Sequence, residues 1–338
     1  MPKPKHILVI RLSAMGDVAM TVPVLQAFTK QYPEVKLTVL TRAFFKPFFR
    51  DLPNTTVYVS DLKGKHKGIL GLFKLSRELK AFKIDAVADL HNVLRTKILK
   101  FFFFGKTFEQ IDKGRAEKKA LVKGDVFKQL KTTHERYADV FSKLEYAIDL
   151  SEKPKPLTHS INTKAQQLIG KDTNKWIGIA PFAQYASKMY PLDLLESVIE
   201  KLSNKYKILL FGGGQKEVEV LNGFQEKYTN VINLAGQLDL SEELNVISNL
   251  DVMIAMDSGN GHLAAMLGVK VMTIWNVTHP YAGFAPFGQS KTQQILPDRN
   301  KYPLIPTSIY GNKYPEGYEV AARTIPPENI VKQIENIL

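Results

Sequence analysis

Apolar residues fall in short runs, separated by stretches in which they recur at helical spacing. HILVIR, KLTVLT, TTVYVS and IDAVADL punctuate the first half of the chain; KWIGIA, YKILLFG, NVINLAG, DVMIAM and VKVMTIW punctuate the second. Several of these runs are continuous, not alternating, as strands buried on both faces should be. Between them, stretches such as MTVPVLQAFTKQY and LDLLESVIEKLSNKY carry apolar positions three and four apart, the pattern of an amphipathic helix. Alternating β and α predicts parallel sheets with right-handed crossovers. The alternation breaks at 151–175, where SEKPKPLTHS has two prolines and GKDTNK is polar, and KWIGIAPF restarts it. At 338 residues the chain exceeds the usual size of one domain. The expectation is two similar α/β halves with a cleft between them, residues 1–155 and 156–325. PLIPTSIYGNKYPEGY reads as surface loop. PPENIVKQIENIL, 326–338, reads as a helix with proline in its first turn, free to pack back on the first half.

Charge changes this picture. The formal net charge is +13, yet residues 1–155 hold 30 Lys and Arg against 16 Asp and Glu, while 156–338 are nearly balanced. The first half is therefore expected to face something anionic, such as a phosphorylated substrate, a membrane surface or nucleic acid, unless the charge is simply a solvated basic surface. No cysteine is present, which excludes disulfides and thiolate chemistry and suits a reducing compartment. The N-terminal apolar stretch is too short for a signal peptide, and no window reaches the roughly 20 apolar residues of a membrane span. A cytoplasmic protein is expected.

Three constellations carry candidate chemistry. RLSAMGDV, 11–18, places Gly16 and Asp17 where a strand turns into a helix, the place where parallel sheets bind ligands. Asp17 is either a first-turn carboxylate serving the helix dipole or a general base, and the two roles are compatible. APFAQYASKMYP, 180–191, ends a small polar turn in Lys188, either an exposed lysine or a point charge for a diphosphate. MDSGNGHLAAMLGV, 256–269, is the strongest. Asp257 ends a strand, Ser258, Gly259 and Gly261 form a tight turn, and His262 lies at the start of a helix whose N–H groups suit an anion. His262 is equally readable as a packing histidine. FGGGQKEVE, 211–219, is weaker: Gly213 permits close ligand approach, and Glu217 either meets a ribose or starts a helix. No Asp-x-Asp pair, H-E-x-x-H, EF-hand, Walker or G-x-S-x-G motif occurs. No metal ligands are predicted.

Taken together, ILVIRLSAMGDVAMTVPVLQAF, DAVADLHNVLRT, SKMYP and NLAGQLDLSEELNVISNLDVMIAMDSGNGHLAAMLGVKVMTIW resemble glycosyltransferase family 9, the ADP-heptose:lipopolysaccharide heptosyltransferases and their relatives. The likeness runs across nearly the whole chain, in the family's order. It implies the GT-B fold, two Rossmann-like domains facing each other across a cleft, with the acceptor on the first and the nucleotide-sugar on the second. It implies inversion at the anomeric carbon without an Asp-x-Asp-bound metal or other cofactor. The donor would be ADP-heptose, and the acceptor an anionic lipopolysaccharide-core glycolipid at the inner face of the cytoplasmic membrane of a Gram-negative cell. Asp17 matches the family's base. Lys188 matches its phosphate-contacting lysine, and Ser258, Gly259 and His262 match the diphosphate loop, with Asp257 placed for donor hydroxyls. Gly213 and Glu217 remain candidates on the donor side, and Arg11, Gly16, Arg95 and Arg115 on the acceptor side.

The chain also departs from the family's pattern. Tyr190 stands where many relatives have Trp, and Asn260 and Gly261 stand where many have a larger residue and Ser. These departures bear on the donor sugar and base. NVTHPYAGFAPFG adds His279, Tyr281 and Phe284, which either shape a donor pocket or pack a loop. KILKFFFFGK, 97–106, is either a buried element with lysine flanks or a segment that dips into a membrane interface. A GT-B sugar-nucleotide epimerase and a non-catalytic binder of anionic surfaces are the alternatives. No nucleic-acid motif is recognisable.

Overall fold

The computed structural model describes residues 3–152, 155–170 and 174–338. They form two units: Met1–Lys113 with Thr133–Lys153, and Gly114–Thr132 with Pro154–Leu338. Parts of the break at 151–175, residues 153–154 and 171–173, lie outside the described residues.

The first unit runs β1 (His6–Ile10), α1 (Met15–Ala19), α2 (Thr21–Gln31), β2 (Lys36–Thr41), β3 (Thr55–Val59), α3 (Gly68–Lys80), β4 (Ala86–Asp89), α4 (Leu94–Phe102) and β5 (Thr107–Gln110). The chain then contributes α5 (Arg115–Lys123) to the second unit and returns as α6 (Thr133–Ser142). The strand order is β3-β2-β1-β4-β5, and each pairing is parallel. Central β1 sets Ile7 opposite Leu37 on one side and Ala86 on the other, and Ile7 to Ile10 are fully buried. Leu8 and Ile10 pack with Leu72, Leu75 and Leu79 of α3 and Leu99 of α4. Phe28 of α2 packs on Phe141 of α6 at 4.8 Å between ring centroids, which anchors the returning chain.

The second unit continues with α7 (Thr163–Ile169), β6 (Trp176–Ala180), α8 (Leu192–Ser203), β7 (Lys207–Leu210), α9 (Gln215–Lys227), β8 (Val231–Asn233), α10 (Leu240–Ile247), β9 (Val252–Met256), α11 (Gly259–Met266), β10 (Lys270–Ile274), β11 (Gln294–Ile295) and α12 (Pro327–Ile337). Its parallel order is β11-β10-β9-β6-β7-β8. A reciprocal cap starts α10: Asp239 accepts from the Glu242 N–H and Glu242 accepts from the Asp239 N–H, each at 2.9 Å.

The structure corrects the sequence reading in three places. The division does not follow chain order, because residues 114–132 belong to the second unit. There Leu121 and Leu130 pack with Ala282, Tyr281 and Phe284, and the Leu130 N–H donates to the Tyr281 carbonyl at 2.9 Å. Gly283, at φ +84°, permits this approach, since a Cβ there would lie 2.7 Å from the Lys131 carbonyl oxygen. The C-terminal helix α12 packs within the second unit. It buries Ile330 and Ile334 in that unit's core and pairs Glu335 with Lys205, just past α8, at 2.7 Å. Finally, β5 and β11 were not expected, because TFEQ and QI lack apolar runs and earn their place by pairing at sheet edges.

The burial of α12 gives a prediction. Ile334→Ala is expected to lower unfolding free energy by about 2–5 kcal/mol in urea titrations. Glu335→Ala, which removes only an exposed ion pair, should cost less than about 1 kcal/mol.

Candidate functional site

In each sheet the strand order reverses at one seam, between β1 and β4 in the first unit and between β6 and β9 in the second. Crossovers leave these neighbours in opposite directions, so the carboxyl ends of the strands stay open to a ligand. Polar groups gather at both seams.

In the first unit, Arg11 follows β1 and is buried. One guanidinium nitrogen, Nη1, donates to the carbonyl of Leu90, just past β4, at 2.7 Å; the other, Nη2, lies 2.6 Å from Asp17 Oδ2. Arg11 therefore ties the two sides of the seam together. Asp17 lies in α1, which also contains Gly16, and its side chain is 32% exposed. Oδ2 also accepts the Ala14 N–H at 3.3 Å, and the Tyr137 hydroxyl donates to the Asp17 carbonyl at 3.2 Å. Oδ1 enters no hydrogen bond among the described residues. One oxygen is thus clamped and the other is left open, an arrangement compatible with both the helix-start reading and the base reading.

The turn after β4 is built on Asp89. Its buried carboxylate accepts the N–H groups of His91 and Asn92, each at 3.0 Å, and Gln110 Nε2 at 2.8 Å. His91 is buried, and its Nδ1 has no partner among the described residues. Burial first, then the charges of Arg11, Lys113, Arg95 and Arg42, push its imidazole down to about 3. These four cations come from the segments that follow β1, β5, β4 and β2. The sequence reading found Arg11 and Arg95 but missed Arg42, Lys113 and His91. Arg42 and His91 could have been found by their place just past a strand; Lys113 could not, because β5 itself was unrecognised. Arg115 opens α5 in the second unit, exposed to solvent, and is not in this cluster.

In the second unit the seam is bridged by an ion pair. Lys188, past β6, places Nζ 2.8 Å from Oδ2 of Asp257, just past β9, with side chains only 14% and 10% exposed. The Thr278 hydroxyl donates to the same Asp257 oxygen at 2.9 Å. Gly311, at φ +77°, makes room for the Lys188 stem: a Cβ there would lie 2.5 Å from Lys188 Cγ. Ser187 Oγ donates to the Gly311 carbonyl and pins that loop.

Ser258 is the N-cap of α11, yet its hydroxyl caps no N–H, and Oγ is buried without a partner among the described residues. The leading N–H groups of α11, starting at Gly259, lie beside it, a ready anion site. His262 is buried one turn on. A Cβ on Gly261 would lie 3.3 Å from Ala255 Cβ and 3.4 Å from Pro286 Cγ, so close packing on the sheet explains the glycine. Tyr190 is buried and its hydroxyl donates to the Ile325 carbonyl at 2.7 Å, a partner that suits tyrosine.

Other candidates are engaged locally. Glu217 accepts the Gly213 N–H at 2.7 Å, and so caps its own glycine loop. His279 and Tyr281 stack with Phe127, and Lys118 lies 4.0 Å from the Phe284 ring centroid; all three hold the 114–132 segment, which is the loop-packing role. Among the described residues, no three His, Asp or Glu side chains are grouped to hold a metal ion.

A family model described as "Glycosyltransferase family 9 (heptosyltransferase)" matches residues 72–309. The chain is 26% identical over 296 residues to a lipopolysaccharide core heptosyltransferase of Haemophilus influenzae, covering 82% of this chain and 80% of that one. Its fold is that of a glycosyl transferase family 9 crystal structure from Veillonella parvula, with a TM-score of 0.76 at 22% identity over 98% and 97% of the two chains. The E. coli ADP-heptose LPS heptosyltransferase II structure matches with a TM-score of 0.68 at 19% identity, over 98% of each chain.

The state of His91 gives a pH prediction. Its folded value, about 3, lies below the 6.5 of an unfolded histidine. Between these values the unfolded chain binds a proton that the native chain does not, so stability is lost as pH falls through this window. Wild type is expected to lose more unfolding free energy than His91→Gln between about pH 6.5 and pH 3, measured by denaturant titration at each pH. Parallel curves would contradict the assignment.

Proposed function

The chain belongs to glycosyltransferase family 9, and from that premise we propose that it transfers heptose from ADP-heptose to an anionic lipopolysaccharide-core acceptor, inverting the anomeric carbon. The observation that carries this reading is the Asp17 carboxylate, with one oxygen clamped by Arg11 and the other open at the β1/β4 seam. The names of the relatives, lipopolysaccharide heptosyltransferases, support the sugar and the acceptor class.

Asp17 Oδ1 takes the proton of the acceptor hydroxyl as that oxygen attacks the anomeric carbon of the donor. The new C–O bond forms as the bond to the diphosphate oxygen breaks, and ADP leaves with the electron pair. Charge building on the diphosphate is met by the Lys188 ammonium, the Ser258 hydroxyl and the leading N–H groups of α11. Lys188 exchanges Asp257 for the diphosphate, which frees the Asp257 carboxylate to accept from donor hydroxyls. On the first unit, Arg42, Arg95 and Lys113 hold acceptor phosphates or acidic sugars, and His91 Nδ1 accepts from an acceptor hydroxyl. The acceptor's lipid places the reaction at the cytoplasmic face of a membrane.

Asp17→Asn is expected to lower kcat about 10²–10⁴-fold while ADP still raises the melting temperature. A nucleotide at 100 times its Kd adds about 2.7 kcal/mol, so a thermal-shift panel of ADP, GDP, UDP and CDP reads the donor class. ADP alone should stabilise, and Lys188→Met should weaken that effect. Wild-type turnover by Asp17→Asn would remove the base, and preference for another nucleotide would remove ADP-heptose.

A further inference from the structure

The phenylalanine run at 101–104 is divided between two environments. Phe103 is buried in the first unit's core, whereas Phe101 is 78% and Phe104 93% exposed. α4 turns Thr96 and Leu99 inward, while Leu94 and Phe101, seven residues apart, share the opposite, solvent-facing side. Its neighbour α3 does the same, burying Leu72, Leu75 and Leu79 while Leu70 stands 84% exposed. The two outer faces are continuous: Phe73 of α3 packs edge-on against Phe102 at 5.4 Å, and Phe102 against Phe101 at 5.9 Å. Scattered exposed apolar residues are ordinary, but a contiguous patch of large ones marks an interaction surface.

Charge identifies the partner. Residues 63–106 hold 11 Lys and Arg against 3 Asp and Glu. All three acids are occupied within the unit: Glu78 accepts from Tyr58, Asp85 from the N–H groups of Lys5 and His6, and Asp89 from the turn after β4. Lys74, Arg77, Lys97 and Lys106 are exposed and enter no ion pair among the described residues. A second copy placed face to face would set like charges together. Exposed aromatics flanked by free lysines match an anionic bilayer, where rings enter the headgroup boundary and ammonium groups meet lipid phosphates. Among the described residues no helix is long and apolar enough to cross a membrane, so this contact is one of surface adsorption.

We infer that the outer face of α3 and α4 docks the first unit on an anionic lipid bilayer. This deepens the reading above, on which the acceptor is carried by a lipid. The test is co-sedimentation of the full chain with phosphatidylcholine vesicles and with phosphatidylcholine–phosphatidylglycerol vesicles, at low and high salt. Wild type should partition onto the anionic vesicles alone and come off as salt rises. Phe101→Ser with Phe104→Ser should weaken partitioning about tenfold or more, and each of Lys97→Glu and Lys106→Glu about fivefold or more. Turnover on a lipid-free core oligosaccharide should be unchanged in these variants, and turnover on the same acceptor in vesicles should fall. Equal binding to both vesicle types, no binding, or a self-associated species that the Phe variant dissolves in light scattering would overturn the inference. Vesicle binding without turnover on the lipid-free acceptor would instead count against the proposed reaction.

Discussion

A strand in a parallel sheet must leave at its carboxyl end, and its crossover helix covers one side or the other. Only where successive crossovers part does that end stay open. This chain meets the constraint twice, between β1 and β4 and between β6 and β9. Through the middle of those strands both faces are buried and the side chains are apolar. The seams are the places where a carboxylate or ammonium can stand against the ends of a rigid sheet and still reach a ligand.

Both seams are bridged by charge, and stability alone does not account for it. Lys188 and Asp257 are nearly buried, and taking two ions out of water roughly cancels their attraction, so apolar residues of the same volume would serve the fold about as well. What the pairs supply is position. Arg11 is fixed by the Leu90 carbonyl and in turn fixes one oxygen of Asp17. Lys188 is guided by a stem that only a glycine at 311 admits. A transferase needs such groups held before the substrate arrives, because reorganising them during the reaction would add to the barrier.

The parts that could be read from sequence are those coded locally. The long buried strands announce themselves as apolar runs, and Asp17, Lys188 and Asp257 each lie in the segment that leaves one. What escaped depends on partners far along the chain. β5 and β11 are strands only because a neighbour pairs with them. The segment 114–132 reads as part of a basic first half, yet Leu121 and Leu130 find their core more than 150 residues later, at Tyr281 to Phe284. His91 looked unremarkable because its character comes from burial first and then from Arg11, Lys113, Arg95 and Arg42, of which only Arg95 is near it in the chain.

Regrouping the chain by its units also redistributes the charge. By residue count the first unit carries an excess of +9 and the second +4, and the segment 114–132 supplies that entire +4. The second unit's charge is therefore balanced but for this one segment. In the first unit, cations from residues 63–106 outnumber the anions by eight, most of that unit's excess. Among them Arg95 acts on His91 at the seam, while Lys74, Arg77 and Lys97 are exposed on α3 and α4. A basic half-chain thus resolves into two surfaces with different demands. The seam needs fixed cations at the ends of strands, whereas Lys97 on α4 and Lys106 just past it need only to be free.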